Sequence, residues 1–177
     1  LVAAKMGATL DHIGQGRWGI NIVSGWSANE FGMMGIELLP HEERYQRTTA
    51  FIEILKGLWT EEPGTFDHES PWYQIKGGYV MPQPIHKPHP PIVNAGTSDA
   101  ARDLVARLCD WAFIAPPSAE ATPEMSQDFK QRAQRYGRRV QCAGMPFVLW
   151  RETEQEAQAE VQRIMDNTDM VAAQNWA

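Results

Sequence analysis

The sequence has no excess of basic residues, no long apolar run and little cysteine. Its 16 Lys and Arg residues are outnumbered by 22 Asp and Glu residues, which gives a net charge of −6. A chain with this balance lacks the basic surface that neutralises the phosphates of a nucleic acid. Its apolar stretches are also shorter than the ~18 residues that a membrane span needs. These absences argue against nucleic-acid and membrane partners.

The two cysteines, Cys109 and Cys142, are too few for a disulfide framework and too far apart for a redox or zinc motif. Free thiols are typical of a reducing compartment, so we expect a cytoplasmic protein. The five histidines show no metal-ligand spacing either. The sequence therefore predicts neither a metal site nor a cysteine nucleophile.

A regular alternation of strands and helices is the main pattern that is present. Four short, β-rich apolar runs are each followed by a stretch with helical periodicity. The runs are residues 18–24, 91–95, 111–115 and 146–150, and the helical stretches are residues 42–59, 99–109, 123–136 and those from Glu154 onward. This alternation predicts an α/β fold with a parallel sheet, either doubly wound or closed into a barrel.

The chain opens at Leu1, without Met, in residues that are typical of the body of a helix. An eight-stranded barrel needs about 250 residues, and four β-α units bury a sheet only if the outer strands find partners. We therefore expect residues 1–177 to be a fragment that supplies about four β-α units of a (β/α)8 TIM barrel.

Two connections are longer than the usual β-α and α-β loops. Residues 25–40 follow a predicted strand at its carboxyl end, where barrel enzymes place their active sites. Residues 61–90 are rich in proline and resemble an inserted arm that contains a short hairpin. A rigid spacer and a cover over a substrate are equally good interpretations of this arm.

Three short stretches carry candidate binding residues. Residues 94–99 lie between a strand and a helix start, where backbone N–H groups and Ser98 can hold an anion or simply cap the helix. Arg44 and Tyr45 lie in the first turn of a long helix, where they can bind a phosphate or serve as a surface cation and a core aromatic. Asn21 interrupts an apolar strand, and Glu30 lies in the first long loop.

The order and spacing of five motifs give a more specific indication. They are Gly16-Arg-Trp-Gly-Ile-Asn21, Asn29-Glu30-Phe-Gly, His41-Glu-Glu-Arg44-Tyr45, Pro82-Gln-Pro84 and Ala95-Gly-Thr-Ser98. Together they resemble the bacterial-luciferase-like flavin monooxygenases, which are TIM barrels of about twice this length. Within that family the resemblance is greatest to the pyrimidine and dimethylsulfone monooxygenase branches.

The resemblance implies that FMN is bound by Asn21, Glu30, Arg44, Tyr45 and Ser98. It further implies that a separate flavin reductase supplies reduced FMN, which reacts with O2 to give a flavin peroxide that oxygenates a small molecule. A homo-oligomer is expected, and no catalytic residue is identified. A flavin- or deazaflavin-dependent dehydrogenase on the same barrel, and a flavin-binding barrel without catalysis, remain alternatives.

The substrate class is predicted from the run at residues 146–150. The corresponding strand of alkanesulfonate monooxygenase carries an Arg and a His, and Met145 and Phe147 stand at those positions here. A thioether and a phenyl ring cannot pair with a sulfonate anion. We therefore expect a small neutral nitrogen or sulfur compound, such as a pyrimidine-like ring or a sulfone.

Overall fold

The structure is a computed structural model that describes residues 1–116 and 118–176. Two compact units divide the chain, Leu1–Gly144 and Met145–Ala177. Within the described residues, no helix is long and apolar enough to cross a membrane.

The first unit alternates helices and strands as expected. Its elements are α1 (Val2–Ile13), β1 (Ile20–Asn21), α2 (Ala28–Met33), α3 (His41–Thr60), β2 (Phe66–Glu69), β3 (Gln74–Gly78), β4 (Ile92–Asn94), α4 (Asp99–Leu108), β5 (Trp111–Ile114), α5 (Thr122–Arg135) and β6 (Gln141–Gly144). The second unit contains α6 (Glu154–Asp166) and α7 (Met170–Trp176).

Four strands form a parallel sheet in the order β1-β4-β5-β6. Side chains alternate between the two faces of a strand, so the buried Ile92, Ala112 and Ile114 lie on the face that the helices cover. Asn21 lies on the opposite face, in the row whose other members are Val93, Trp111 and Gln141. We call this second face the helix-free face, which in a TIM barrel faces the barrel interior.

The predicted fourth strand is wrong. Residues 146–150 are not a strand; the fourth strand is β6, which pairs with β5 from Trp111↔Gln141 to Ile114↔Gly144. Met145 and Phe147 lie in the second unit and are largely exposed. The physical reason is that strand identity follows backbone pairing with β5, which four weakly apolar residues can provide as well as a hydrophobic run.

Helix α3 is the longest helix and confirms the predicted apolar stripe. Glu42 and Glu43 in its first turn complement the helix dipole. Ile52, Leu55 and Trp59 are buried on its core face, and the Trp59 indole Nε1 donates to the Ala4 carbonyl of α1 at 3.0 Å. A buried indole N–H needs such a partner, so this bond fixes α1 against α3.

The arm at residues 61–90 contains the expected hairpin, formed by antiparallel β2 and β3. The base of the hairpin packs on the carboxyl-terminal part of α3, where the Phe66 ring contacts Gly57. The tip of the hairpin reaches the amino-terminal half of α3. There the ring centroids of Tyr73 and Phe51 lie 6.5 Å apart, and the Tyr73 hydroxyl accepts a hydrogen bond from Arg47 Nε at 3.2 Å. The hairpin therefore runs along α3 toward the start of that helix.

The end of the arm is held by Asp11 of α1, which is fully buried. The backbone N–H of His86 donates to Asp11 Oδ2 at 2.8 Å, and the His86 ring lies 3.1 Å from the Gly16 carbonyl through Nδ1. These two contacts fix the end of the arm on α1, just before the chain enters β4 at its amino end.

A charged cluster joins the amino ends of the strands. Asp110 accepts from the Ile92 N–H at 2.9 Å and pairs with Arg138 at 3.3 Å, while Arg138 also donates to the Ala106 carbonyl at 3.1 Å. Burial lowers the pKa of Lys56 and of His89 below their ordinary values. In TIM barrels this end of the sheet serves stability, and the opposite end carries the chemistry.

Candidate active site

Asn94 organises the carboxyl ends of β1 and β4. Its side chain is 1% exposed, donates from Nδ2 to the Ile22 carbonyl at 2.6 Å and accepts from the Gly96 N–H at 2.8 Å. Both polar atoms of the amide are therefore satisfied, which a buried amide requires. Asn94 thus fixes the turn after β4 to the chain that leaves β1.

Removing this amide gives a first testable prediction. Asn94→Ala leaves the buried Ile22 carbonyl and the partly buried Gly96 N–H without these partners, so the free energy of unfolding should fall by about 1–2 kcal/mol in urea denaturation. Asn29→Ala is the matched control, because Asn29 is exposed and such changes stay within about 0.5 kcal/mol. Equal stability of the two variants would contradict the proposed role of Asn94.

The turn after β4 has no room for a side chain at Gly96. A Cβ on Gly96 would lie 2.6 Å from the Tyr45 hydroxyl oxygen and 2.5 Å from the Ala101 Cβ. The Tyr45 hydroxyl therefore lies directly against the turn that contains Ser98. This arrangement brings together two of the residues that the sequence nominates.

Ser98 is the N-cap of α4, and its hydroxyl accepts from the Ala101 N–H at 3.3 Å. The first backbone N–H groups of a helix have no partner within the helix and attract anions. The Ser98 hydroxyl of the turn and the Tyr45 hydroxyl of α3 lie beside these N–H groups. These donors fit a phosphate, and the absence of a side chain at Gly96 leaves room for close approach to the backbone.

A second group of nominated residues lines a cavity of about 470 Å³ beside the first turns of α3. Glu30, Arg44, Phe31 and Tyr73 form part of its wall. Arg44 Nη1 donates to the Gly25 carbonyl, while Arg44 Nε is buried and has no hydrogen-bond partner among the described residues. The cavity wall therefore contains a cation whose buried Nε–H is not used by any described residue.

Gly25 is suited to this wall for two reasons. Its φ of +83° lies in the left-handed region, and a Cβ there would be 2.7 Å from the Phe31 ring. Phe31 is thus packed onto the backbone, whereas Trp26, Met33 and Met34 of the same loop are largely exposed.

The five nominated residues consequently fall into three places. Tyr45 and Ser98 meet at the turn after β4, and Glu30 and Arg44 meet at the cavity. The two groups are neighbours because Arg44 and Tyr45 are adjacent in α3. Asn21 does not line that cavity; it is exposed on the helix-free face of β1.

A model of the luciferase-like monooxygenase family matches residues 1–177. This chain belongs to the luciferase-like monooxygenases. The four parallel β-α units just described therefore have the TIM-barrel architecture that the sequence predicts, with the candidate residues at the carboxyl ends of the strands.

Similar proteins agree with this assignment. This luciferase-like chain is 37% identical over 175 residues to an FMNH2-dependent dimethylsulfone monooxygenase of Pseudomonas putida, covering 99% of the chain and 48% of that protein. A solved riboflavin lyase is 23% identical with a TM-score of 0.82, over 93% of this chain and 42% of its own. EDTA monooxygenase from Chelativorans sp. BNC1 is 23% identical with a TM-score of 0.79, over 96% and 46%. The chain spans about half the length of the curated relative.

The described residues contain no group of three or more His, Cys, Asp or Glu side chains that could hold a metal ion. Cys109 is fully buried, and this burial raises the pKa of its thiol to about 12. A thiol must lose its proton to act as a nucleophile, so Cys109 is inert at neutral pH.

Two residues of this region are not among those that the sequence nominates. Asn94 belongs to a nominated turn motif, but its own signal is different: a polar residue that ends an apolar strand indicates a buried hydrogen bond. Tyr73 belongs to the arm, and its contact with α3 across more than twenty residues of sequence has no local signal.

Proposed function

We propose that this chain forms the flavin-phosphate side of the active site of a two-component monooxygenase, which uses reduced FMN and O2 to oxygenate a small neutral sulfone. The observation that carries the proposal is the turn at Gly96, where Tyr45 and the Ser98 cap converge on the start of α4. The 37% identity to a dimethylsulfone monooxygenase supports the choice of substrate.

The residues act by binding and orientation. Ser98, Tyr45 and the backbone N–H groups of the first turn of α4 would hold the phosphate of FMN. Arg44 supplies positive charge beside them, and Glu30 and Asn21 provide acceptors and an amide for the remaining polar groups. Bound in its reduced form, FMN supplies the two electrons and the activation of O2 that no side chain provides.

Exclusion of water is the second task of the protein in such a reaction. Phe31 and Tyr73 contribute apolar surface to the cavity beside Arg44. The arm thereby supports the covering role, one of the two interpretations left open by its sequence. We further propose that residues 1–177 are part of a single luciferase-like barrel domain in which residues 61–90 are an inserted arm. A flavin reductase as partner, a homo-oligomer and a cytoplasmic location complete the proposal.

Met145 and Phe147 give no support to a neutral substrate. Because Met145 and Phe147 are not on a strand of the sheet, their apolar character no longer describes the wall of a barrel. The proposal of a sulfone therefore rests on the identity to the dimethylsulfone enzyme.

A substrate panel tests the proposed function. The protein is supplied with flavin reductase, NADH and FMN, and with dimethylsulfone, uracil or octanesulfonate in parallel. We expect substrate-dependent product formation from dimethylsulfone, with octanesulfonate releasing at least ten-fold less sulfite. Efficient sulfite release would contradict the neutral substrate. Bound flavin without O2 consumption would contradict the monooxygenase activity. Repeating the reactions with a deazaflavin in place of FMN then separates the two alternatives, since a dehydrogenase would turn over substrate and a non-catalytic flavin-binding barrel would not.

A further inference from the structure

Two arginines connect the first turn of α4 to helix α5. Arg102 donates from Nε to the Thr97 carbonyl and from Nη1 to Asp128, both at 2.8 Å. Arg132 of α5 lies 3.0 Å from Asp128 through Nε and 2.7 Å from Asp99 Oδ1 through Nη2. Two cations and two anions thus form one network next to the turn that precedes α4.

Asp99 presents an electrostatic conflict at this place. It follows Ser98 directly, and its side chain is 85% exposed in the first turn of α4. A carboxylate there stabilises the helix through its dipole. The same charge repels a phosphate that approaches the same backbone N–H groups.

We propose that Arg132 is a positioning residue for the flavin phosphate: its ion pair with Asp99 draws that carboxylate toward α5 and neutralises it. The inference rests on the proposed function, since it concerns the same phosphate site. Partly exposed ion pairs contribute little to stability, so an effect on the charge of the site explains the placement of Arg132 better than an effect on folding does.

The test is a titration with FMN, followed by flavin fluorescence at low ionic strength. Arg132→Gln exposes an unpaired Asp99 and should raise the Kd for FMN about five- to ten-fold. Adding Asp99→Asn to this variant should return the Kd to within about two-fold of the wild-type value, as should Arg132→Lys in place of Gln. High salt should shrink the effect of Arg132→Gln because it screens exposed charges.

Arg135→Gln is the matched control, because Arg135 lies on the same helix and is exposed. It should leave the Kd unchanged. An unchanged Kd for Arg132→Gln, or a loss that Asp99→Asn does not restore, would overturn the inference while leaving the proposed function intact. Wild-type protein that binds no FMN would contradict the proposed function itself, and with it this role of Arg132.

Discussion

Replacing Ser98 with Asp is expected to raise the Kd for FMN by at least about 100-fold. Asp caps a helix as well as Ser does, so α4 should keep its N-terminus. The new carboxylate, however, occupies the place proposed for the phosphate. Loss of one charge-assisted bond costs roughly 1.5–3 kcal/mol, or about ten- to a hundred-fold in affinity, and repulsion between like charges adds to this.

Ser98→Asn separates charge from shape in this experiment. Asn is an equally good cap and carries no charge, so its Kd should stay within about ten-fold of the wild-type value. Circular dichroism should show that all variants remain folded. An unchanged Kd for both Ser98→Asp and Arg44→Ala would exclude the turn and the neighbouring arginine from phosphate binding.

The largest effect on stability is expected from Gly57→Ala. A Cβ at this position would lie 2.0 Å from the Phe66 Cε2, and both residues are buried. The Phe66 ring would have to leave its site, which removes the contact that anchors the hairpin. We expect the free energy of unfolding to fall by about 3 kcal/mol, even though Ala favours a helix over Gly by about 1 kcal/mol.

Gly32→Ala provides the comparison for this substitution. Gly32 lies in α2, and a Cβ there meets no atom within 4 Å. Its stability in urea should therefore equal or slightly exceed that of the wild type. If Gly57→Ala is as stable as Gly32→Ala, the packing of Phe66 against α3 is not needed for folding.

The helices were predictable because their signals are local. The apolar stripe of α3, the Ser98 cap of α4 and the Thr153 capping box of α6 are all written within one or two turns of sequence. The order of β-α units followed from the same patterns. The bounds of the first three strands changed, because strand ends depend on pairing partners rather than on composition, and the fourth strand is formed by a different segment.

The fourth strand shows where local information ends. Gln141–Gly144 has low strand propensity, yet it pairs with all four residues of β5. Residues 146–150 have the stronger pattern, yet they form no strand, and all of them except the half-buried Leu149 are exposed. Hydrophobicity reports that a side chain is suited to burial, but it does not identify the backbone that will pair with it.

As with the strands, local sequence nominated residues of the candidate site but not their partners. Motif order nominated Tyr45 and Ser98, and the structure brings them to one turn. The motifs could not show that both polar atoms of the Asn94 side chain find partners at this turn, since Ile22 and Asn94 lie far apart in sequence. The pairing of Asp99 with Arg132 was equally hidden, because it depends on how α5 packs beside α4.

The hairpin of the arm forms a two-stranded sheet of its own, separate from the four-stranded sheet. Residues can therefore be inserted or deleted at its tip, between Glu69 and Gln74, without moving the register of any barrel strand. The entropic cost of a longer tip grows only slowly with its length. Since Tyr73 belongs to this tip and lines the cavity beside Arg44, evolution can vary the cavity wall among related sequences while the barrel framework stays unchanged.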